Sequence, residues 1–261
     1  TTGGSTTGGA TTGGSTTGGA TTGGATTGGT STTGGGSSST TLDILVLYTD
    51  PAAQESGSET AIKALAGSAV GNVNTALTNS GVTQRAKLVA TENFSYTSSG
   101  DLSADLTKIA SDSQVETWRN QYKADLVCLL VKSNSGSTMG IGHLGSANGN
   151  SGAAYSVCKV MAVGSPIRSF AHEIGHNLGC GHAADQGGSS GAFSYSFGWR
   201  FKGADDKNYR TLLSYQKEPT EPRIPYYSAP SVSYQGTATG TATADNAKTI
   251  SAVIVKAIAY K

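Results

Sequence analysis

The stretch from His172 to His182 constrains this chain most, because it contains three of the four histidines in the sequence. Its pattern is H-E-x-x-H-x-x-G-x-x-H, with Glu173 directly after the first histidine. Residues four apart on a helix share one face and lie about 6 Å apart along the axis, so His172 and His176 can chelate one ion. Glu173 is rotated by about 100° and lies beside that ion. The spacing therefore predicts a metal site with its own catalytic base.

The third histidine requires a break in the helix. A continuing helix would carry His182 about 9 Å past His176 and onto another face. Gly179 removes this difficulty, because glycine tolerates a positive φ, ends the helix and turns the chain back. Three histidines leave one zinc position open, as in catalytic sites. Zn²⁺ there would activate a water molecule and polarise a peptide carbonyl, while Glu173 takes and returns the proton. We therefore predict a zinc cofactor and amide hydrolysis.

Other interpretations of these residues are weaker. A short H-E-x-x-H pattern occurs by chance on ordinary helices, but the extended pattern is much rarer. An inactive zinc-binding homologue would lack the glutamate, and Glu173 is present. Cys180 is an alternative zinc ligand, although a disulfide, most simply with Cys158, is favoured because three nitrogen ligands already complete the pattern. His143, outside the motif, is expected in a loop or an edge strand.

Residues 1–40 have a composition that does not suit a folded domain. They repeat Thr-Thr-Gly-Gly at a period of five, hold 15 of the 37 glycines and lack any large apolar residue. Such a segment buries too little apolar surface to offset its ordering entropy, so we predict a flexible linker in a longer precursor. A stacked solenoid is the alternative, but nothing in the repeat would fill its core. Residues 41–261 are long enough for one well-packed domain.

The charge balance and the lack of a long apolar run argue against two classes of partner. Lysine and arginine total 18 against 17 aspartate and glutamate, and no basic block stands out. We therefore expect no binding to nucleic acid. No apolar run is long enough to cross a bilayer, so we expect no membrane insertion. The composition, low in lysine and rich in Thr, Ser, Gly and Asn, suits a secreted protein.

Hydrophobic periodicity predicts strands alternating with helices before the motif. The predicted elements are strands at residues 42–48, 86–90, 126–131, 141–144 and 153–163, and helices at 60–80 and 101–123, the latter broken near 111–113. The zinc helix starts near 166–169. The chain is then mostly irregular until a closing helix after Asp245. This order predicts an α/β (α+β) fold with strands of mixed direction.

The extended motif resembles that of the metzincins, a clan of zinc metallopeptidases. The resemblance covers residues 41–261 and is strongest to the bacterial reprolysin-like group, which includes the peptidyl-Asp metallopeptidases. The segments that carry it, besides the motif, are Leu42–Pro51, Asn79–Val82, Ser99–Leu102, Ala124–Val127 and Tyr209–Ser228. It implies an upper subdomain at about 41–180 with a twisted mixed sheet, and a small irregular lower subdomain at about 181–261. It also implies a secreted zinc endopeptidase, a hydrolase that acts as a monomer on proteins or peptides.

Two positions, Leu213 and Ala183, depart from the clan pattern, whereas Tyr215 matches a residue of some metzincins. Leu213 stands where the metzincin turn has methionine; as an apolar floor beneath the zinc, leucine of similar volume should serve. Tyr215 resembles a tyrosine that donates to the oxyanion in some metzincins, with a purely packed tyrosine as the alternative. Reprolysins place an aspartate directly after the third histidine, whereas this chain has Ala183 after His182.

The resemblance also implies substrate-binding residues. Gly140, Ile141 and Gly142 would form the upper edge of the cleft and pair with an extended substrate. Arg223 would line the pocket for the residue after the cut bond and bind an acidic side chain; a structural hydrogen-bonding role is the alternative. A different class of function stays open, a non-catalytic adhesin or binding module whose zinc-stabilised fold stands on the Thr/Gly stalk. Glu173 favours the enzyme.

Overall fold

The computed structural model describes residues 41–188 and 190–261, so the linker predicted at residues 1–40 lies outside the described residues. Five strands form the main sheet: β1 Thr41–Tyr48, β2 Arg85–Asn93, β3 Leu126–Val131, β4 Gly140–Gly142 and β5 Tyr155–Lys159. Their order is β2-β1-β3-β5-β4, with β4 antiparallel and the other pairings parallel. Every residue of β3 is buried, as expected for a strand covered on both faces.

Helices cover the sheet, and their ends follow local capping chemistry. They are α1 Asp50–Glu55, α2 Glu59–Asn79, α3 Leu102–Ser111, α4 Ser113–Tyr122, α5 Ser169–Asn177 and α6 Asn246–Ala257. The predicted break between α3 and α4 is confirmed, because the side chain of Asp112 accepts from the N–H groups of Gln114 and Val115. Gly81, after α2, has φ of +76°, the left-handed conformation that glycine permits.

The chain after α5 is mostly irregular, as predicted, and carries two small hairpins that periodicity did not predict. The hairpins are β6 Arg200–Lys202 with β7 Asn208–Arg210, and β8 Ser233–Tyr234 with β9 Thr237–Ala238. Helix α6 closes the chain and buries Ile250, Val253 and Ile254 in the core. The predicted α/β fold with a mixed sheet is confirmed, and the division into upper and lower subdomains stays a prediction.

Two element predictions were inaccurate. Helix α1 was not predicted, although Thr49 caps it and a proline lies in its first turn; at six residues it is too short to show a period. The strand predicted at 153–163 is shorter in the structure than predicted, since β5 ends at Lys159 and a 3₁₀ turn, Val160–Ala162, follows it. Across residues 41–188 and 190–261, no helix is long and apolar enough to span a membrane.

Candidate metal centre

Helix α5 ends in a turn that reverses the chain after the second histidine. Gly179 has φ of +84°. Its N–H donates to the carbonyl of His176 at 2.8 Å, and the N–H of Cys180 donates to the carbonyl of Gly175 at 2.9 Å. This pair of bonds is the Schellman arrangement, which satisfies carbonyls at the helix end and needs a left-handed residue. The turn directs the third histidine back toward the first two.

The three histidines of the motif converge through their Nε2 atoms. His176 Nε2 lies 3.0 Å from that of His172 and 3.0 Å from that of His182, and the third separation is 3.1 Å. Tetrahedral zinc with Zn–N bonds of about 2.0–2.1 Å separates its nitrogens by about 3.3 Å. The spacing therefore fits an ion of this size. In the part of the chain that the structure describes, no other group of three potential ligand side chains converges in this way.

The other ring nitrogens determine which tautomer faces the site. Nδ1 of His172 lies 2.7 Å from the carbonyl oxygen of Leu212, and Nδ1 of His176 lies 2.8 Å from that of Cys180. A carbonyl only accepts, so each Nδ1 carries the proton and each Nε2 presents a lone pair. Lone pairs 3.0 Å apart repel unless a cation lies between them. The donor set, oriented by carbonyls, is that of a metal site.

Burial also keeps these imidazoles neutral. It lowers the pKa of His172 well below the ordinary value, and the neighbouring His176 lowers it further. Burial lowers the pKa of His176 to about 4 and lowers that of His182 as well. Neutral imidazole is the form that binds a metal ion, so at neutral pH the ion does not compete with protons.

Glu173 lies between the triad and the edge strand β4. Its side chain is 4% exposed, and it packs so closely on Gly140 that a side chain there would meet its carboxyl group. Burial raises the pKa of Glu173 to about 8, while the charge of Arg223 acts in the opposite direction. Gly140, Ile141 and Gly142 line a cavity of about 400 Å³ together with all three histidines and Glu173. The structure thus brings the predicted edge-strand residues next to the triad.

Leu213 lies in a tight turn beneath α5. The N–H of Ser214 donates to the carbonyl of Thr211 at 3.1 Å, which closes the turn. Leu213 is fully buried, and a Cβ built on Gly175 of α5 would lie 2.8 Å from its Cδ2. The leucine therefore contacts the turn of α5 that lies between the first two histidines, and the absence of a side chain at Gly175 permits this contact.

Tyr215 follows this turn and lies over the triad. Its ring centroid is 4.3 Å from that of His182 and 5.8 Å from that of His172. The side chain is 48% exposed and lines the same cavity as Glu173. Burial of its inner part raises the pKa of Tyr215, so the phenol stays protonated at neutral pH and can donate a hydrogen bond.

Arg223 lies on the wall of a second cavity of about 310 Å³, which also contacts His172, Glu173 and Tyr215. Its Nη1 donates to the carbonyl of Ile167 at 2.5 Å. Its Nε is buried and has no hydrogen-bond partner within residues 41–188 and 190–261. Burial lowers the pKa of Arg223 to about 10, which still leaves the guanidinium charged at neutral pH. One wall of this cavity is therefore cationic.

The predicted Cys158–Cys180 disulfide was wrong, since both cysteines and Cys128 are free and buried. Cys158 lies in β5, where its side chain contacts Cys128 of the neighbouring strand β3. The Sγ atom of Cys180 lies 3.6 Å from the carbonyl oxygen of Asn246 at the start of α6. The sheet and the segment after α5 thus hold the two thiols against different partners. Cys180 is also not among the converging ligands.

Several residues that shape the site were not predicted from the sequence. Leu212 and Cys180 act through backbone carbonyls, which no side-chain pattern reveals. Gly175 lies inside the motif, and a glycine in a helix interior is a signal of close approach that periodicity overlooks. His143, by contrast, lies directly after β4, as expected, and its Nδ1 is 3.0 Å from the carbonyl oxygen of Gly152.

A buried carboxyl group beside three converging imidazoles, at the open edge of a mixed sheet, defines a centre of the metallopeptidase class. The family model described as "Metallo-peptidase family M12" matches residues 38–228. The chain belongs to this family.

Curated relatives carry the name peptidyl-Asp metalloendopeptidase. The protein of Stenotrophomonas maltophilia strain R551-3 is 33% identical over 218 residues, which cover 80% of this chain and 50% of the relative. That of Pseudomonas aeruginosa is 34% identical over 211 residues, covering 73% and 34% respectively. The chain thus spans about half or less of the length of these relatives. A solved structure, "Structure of a chaperone-substrate complex", matches with a TM-score of 0.69 at 19% identity, covering 86% of this chain and 36% of that chain; it shows the fold alone.

Proposed function

We propose that this chain is the catalytic region of a secreted zinc endopeptidase, with Glu173 as the general base. The observation that carries the proposal is the convergence of three imidazole Nε2 atoms, 3.0–3.1 Å apart, in one cavity with the Glu173 side chain. His172, His176 and His182 would hold the ion. When bound, zinc supplies a Lewis acid that activates water and polarises a carbonyl. Secretion is supported by the low-lysine composition.

Each remaining residue of the cleft has a distinct part in this proposal. Glu173 accepts the proton of the attacking water and returns it to the leaving amine. Its pKa of about 8 without an ion would fall beside a bound cation, which makes the carboxylate available as a base. Tyr215 donates from its phenol to the oxygen that becomes negative during attack. The edge strand β4 offers main-chain groups to an extended peptide.

The proposed substrates are proteins or peptides with an acidic residue next to the cut bond. Two observations support this preference: the name of the curated relatives and the charged Arg223 on the wall of the second cavity. Its Nη1 and Nη2 donate to the carbonyls of Ile167 and Ser214. Each of these nitrogens carries a second N–H, so the guanidinium retains donors for a carboxylate. An acidic side chain would therefore exchange its hydration for a charge-assisted bond.

Substitution Glu173→Gln tests the mechanism. We expect kcat on a casein-derived peptide to fall by at least about 10³-fold, while bound zinc, measured by atomic absorption, stays at one per chain. Glu218→Gln, on an exposed loop, is the matched control. Chelated wild type should lose activity and recover it with zinc. Activity retained by Glu173→Gln contradicts the base assignment, and zinc binding without any hydrolysis favours the binding module.

Arg223→Ala tests the substrate preference separately. We expect the ratio of kcat/KM for matched Asp and Ala peptides to fall by about tenfold or more, as loss of a charge-assisted bond predicts. The ratio is insensitive to general damage, since both peptides share the catalytic groups. Arg85→Ala is the control, because this arginine also binds carbonyls, those of Val82 and Gln84, in another part of the chain. An unchanged ratio in Arg223→Ala rules out the specificity role.

A further inference from the structure

Tyr215 lies over the triad although it is 48% exposed, and its ring must be held in place to act there. It lies in a segment without regular structure, between β7 and β8. An exposed side chain in such a segment loses entropy when it adopts one conformation, so its backbone needs fixed partners. The turn closed by Thr211 and Ser214 fixes only the residues before it. The contacts that hold Tyr215 itself come from a different part of the chain.

Both backbone polar groups of Tyr215 are bound by side chains. The N–H of Tyr215 donates to Oε1 of Gln186 at 3.1 Å. Its carbonyl oxygen accepts from Nη1 of Arg200 at 2.9 Å. The other Nη of Arg200 forms an ion pair with Asp185, and its Nε lies 3.8 Å from the buried carboxylate of Glu221. Arg200 is therefore fixed between two carboxylates, with its side chain only 11% exposed.

Gln186 and Asp185 follow closely after the third histidine. They belong to the 3₁₀ turn Ala184–Gln186, which begins two residues after His182. This histidine is the one ligand outside α5, so an ion that binds it also restrains the turn that follows. The aspartate that reprolysins place directly after the histidine is absent; Asp185 comes three residues after it and reaches Tyr215 through Arg200.

We infer that Gln186 and the Asp185–Arg200 pair are positioning residues that set Tyr215 over the metal centre when His182 is bound. They touch neither the substrate nor the ion, and they act by fixing the two peptide groups of Tyr215. Occupancy of the metal site and placement of the phenol are thereby coupled through one short segment. This inference rests on the proposed function for its kinetic consequence, but the restraint itself is independent of activity.

The first test measures hydrogen–deuterium exchange of the Tyr215 amide in the zinc-loaded protein. Gln186→Ala removes its acceptor, so we expect exchange at Tyr215 to speed up by about fivefold or more. Gln186→Glu keeps an oxygen acceptor and should restore protection. Gln114→Ala, exposed on α4, is the matched control. Chelation should speed up exchange at Tyr215 in the wild type and far less in Gln186→Ala. Unchanged exchange in Gln186→Ala, or no effect of chelation in the wild type, overturns the inference.

The second test separates positioning from general structure. In peptide hydrolysis we expect Gln186→Ala to lower kcat by about threefold to tenfold with KM nearly unchanged. In the Tyr215→Phe background the same substitution should have little further effect, because the phenol it positions is gone. Arg200→Lys keeps the positive charge but loses the guanidinium, whose separate nitrogens contact Tyr215 and the two carboxylates. We expect it to lower kcat as Gln186→Ala does, and to have little further effect in the Tyr215→Phe background. If Gln186→Ala lowers kcat by the same factor in the Tyr215→Phe background as in the wild type, the inference is overturned. If the wild type hydrolyses nothing, the proposed function fails while the exchange result still decides on positioning.

Discussion

Gly140 of the edge strand and Glu173 of α5 approach so closely that a Cβ on Gly140 would lie 2.6 Å from Oε1 of Glu173. The atom it meets is the end of a flexible side chain, so Gly140→Ala should displace the carboxyl group and leave the fold intact. We expect kcat to fall by about 10- to 100-fold with little change in Tm. Gly164→Ala, with nothing within 4 Å of the added carbon, is the control. A wild-type kcat in Gly140→Ala contradicts this arrangement.

The reversal after α5 should be sensitive to substitution of its glycine. Gly179→Ala combines a φ of +84° with a Cβ only 2.7 Å from that of Ala192, so we expect a loss of about 2–5 kcal/mol in the free energy of unfolding. Gly57→Ala has φ of +97° but no atom within 4 Å, and should cost only about 1 kcal/mol. Urea unfolding of the zinc-loaded proteins measures both. Equal losses would show that the contact with Ala192 is unimportant.

Leu213 should accept methionine but not alanine. The side chain is fully buried against α5, so Leu213→Met, which conserves volume, should cost less than about 1.5 kcal/mol of unfolding free energy. Leu213→Ala leaves a cavity beneath the histidines and should cost about 2–5 kcal/mol. Leu144→Ala is the surface control, since that leucine is 42% exposed. Similar costs for methionine and alanine in thermal unfolding would contradict the packing role.

The parts of the fold that follow from local chemistry were predictable. The apolar runs of β1 and β3 and the spacing in α2 are local, so their burial could be inferred from neighbouring residues. The triad was predictable because three ligands lie within one motif. The thiol partners were not, since the register between β3 and β5 decides which cysteines meet. Nor was the contact of Gln186 with Tyr215, which are 29 residues apart and joined only through the turns between them.

Asp125 provides a test of pH dependence away from the metal centre. Burial raises the pKa of Asp125 to about 6, and the charge of Asp43 adds to the rise. The folded state therefore holds this proton more tightly than the unfolded chain, whose aspartates have a pKa of about 3.9. Stability from this group is present below about pH 4 and is lost as pH rises to about 6. In thermal unfolding, the Tm of Asp125→Asn relative to the wild type should be higher at pH 7 than at pH 4. Asp206→Asn, on an exposed turn, should show the same difference from the wild type at both pH values. The same change of Tm with pH in Asp125→Asn and in the wild type would contradict the raised pKa of Asp125.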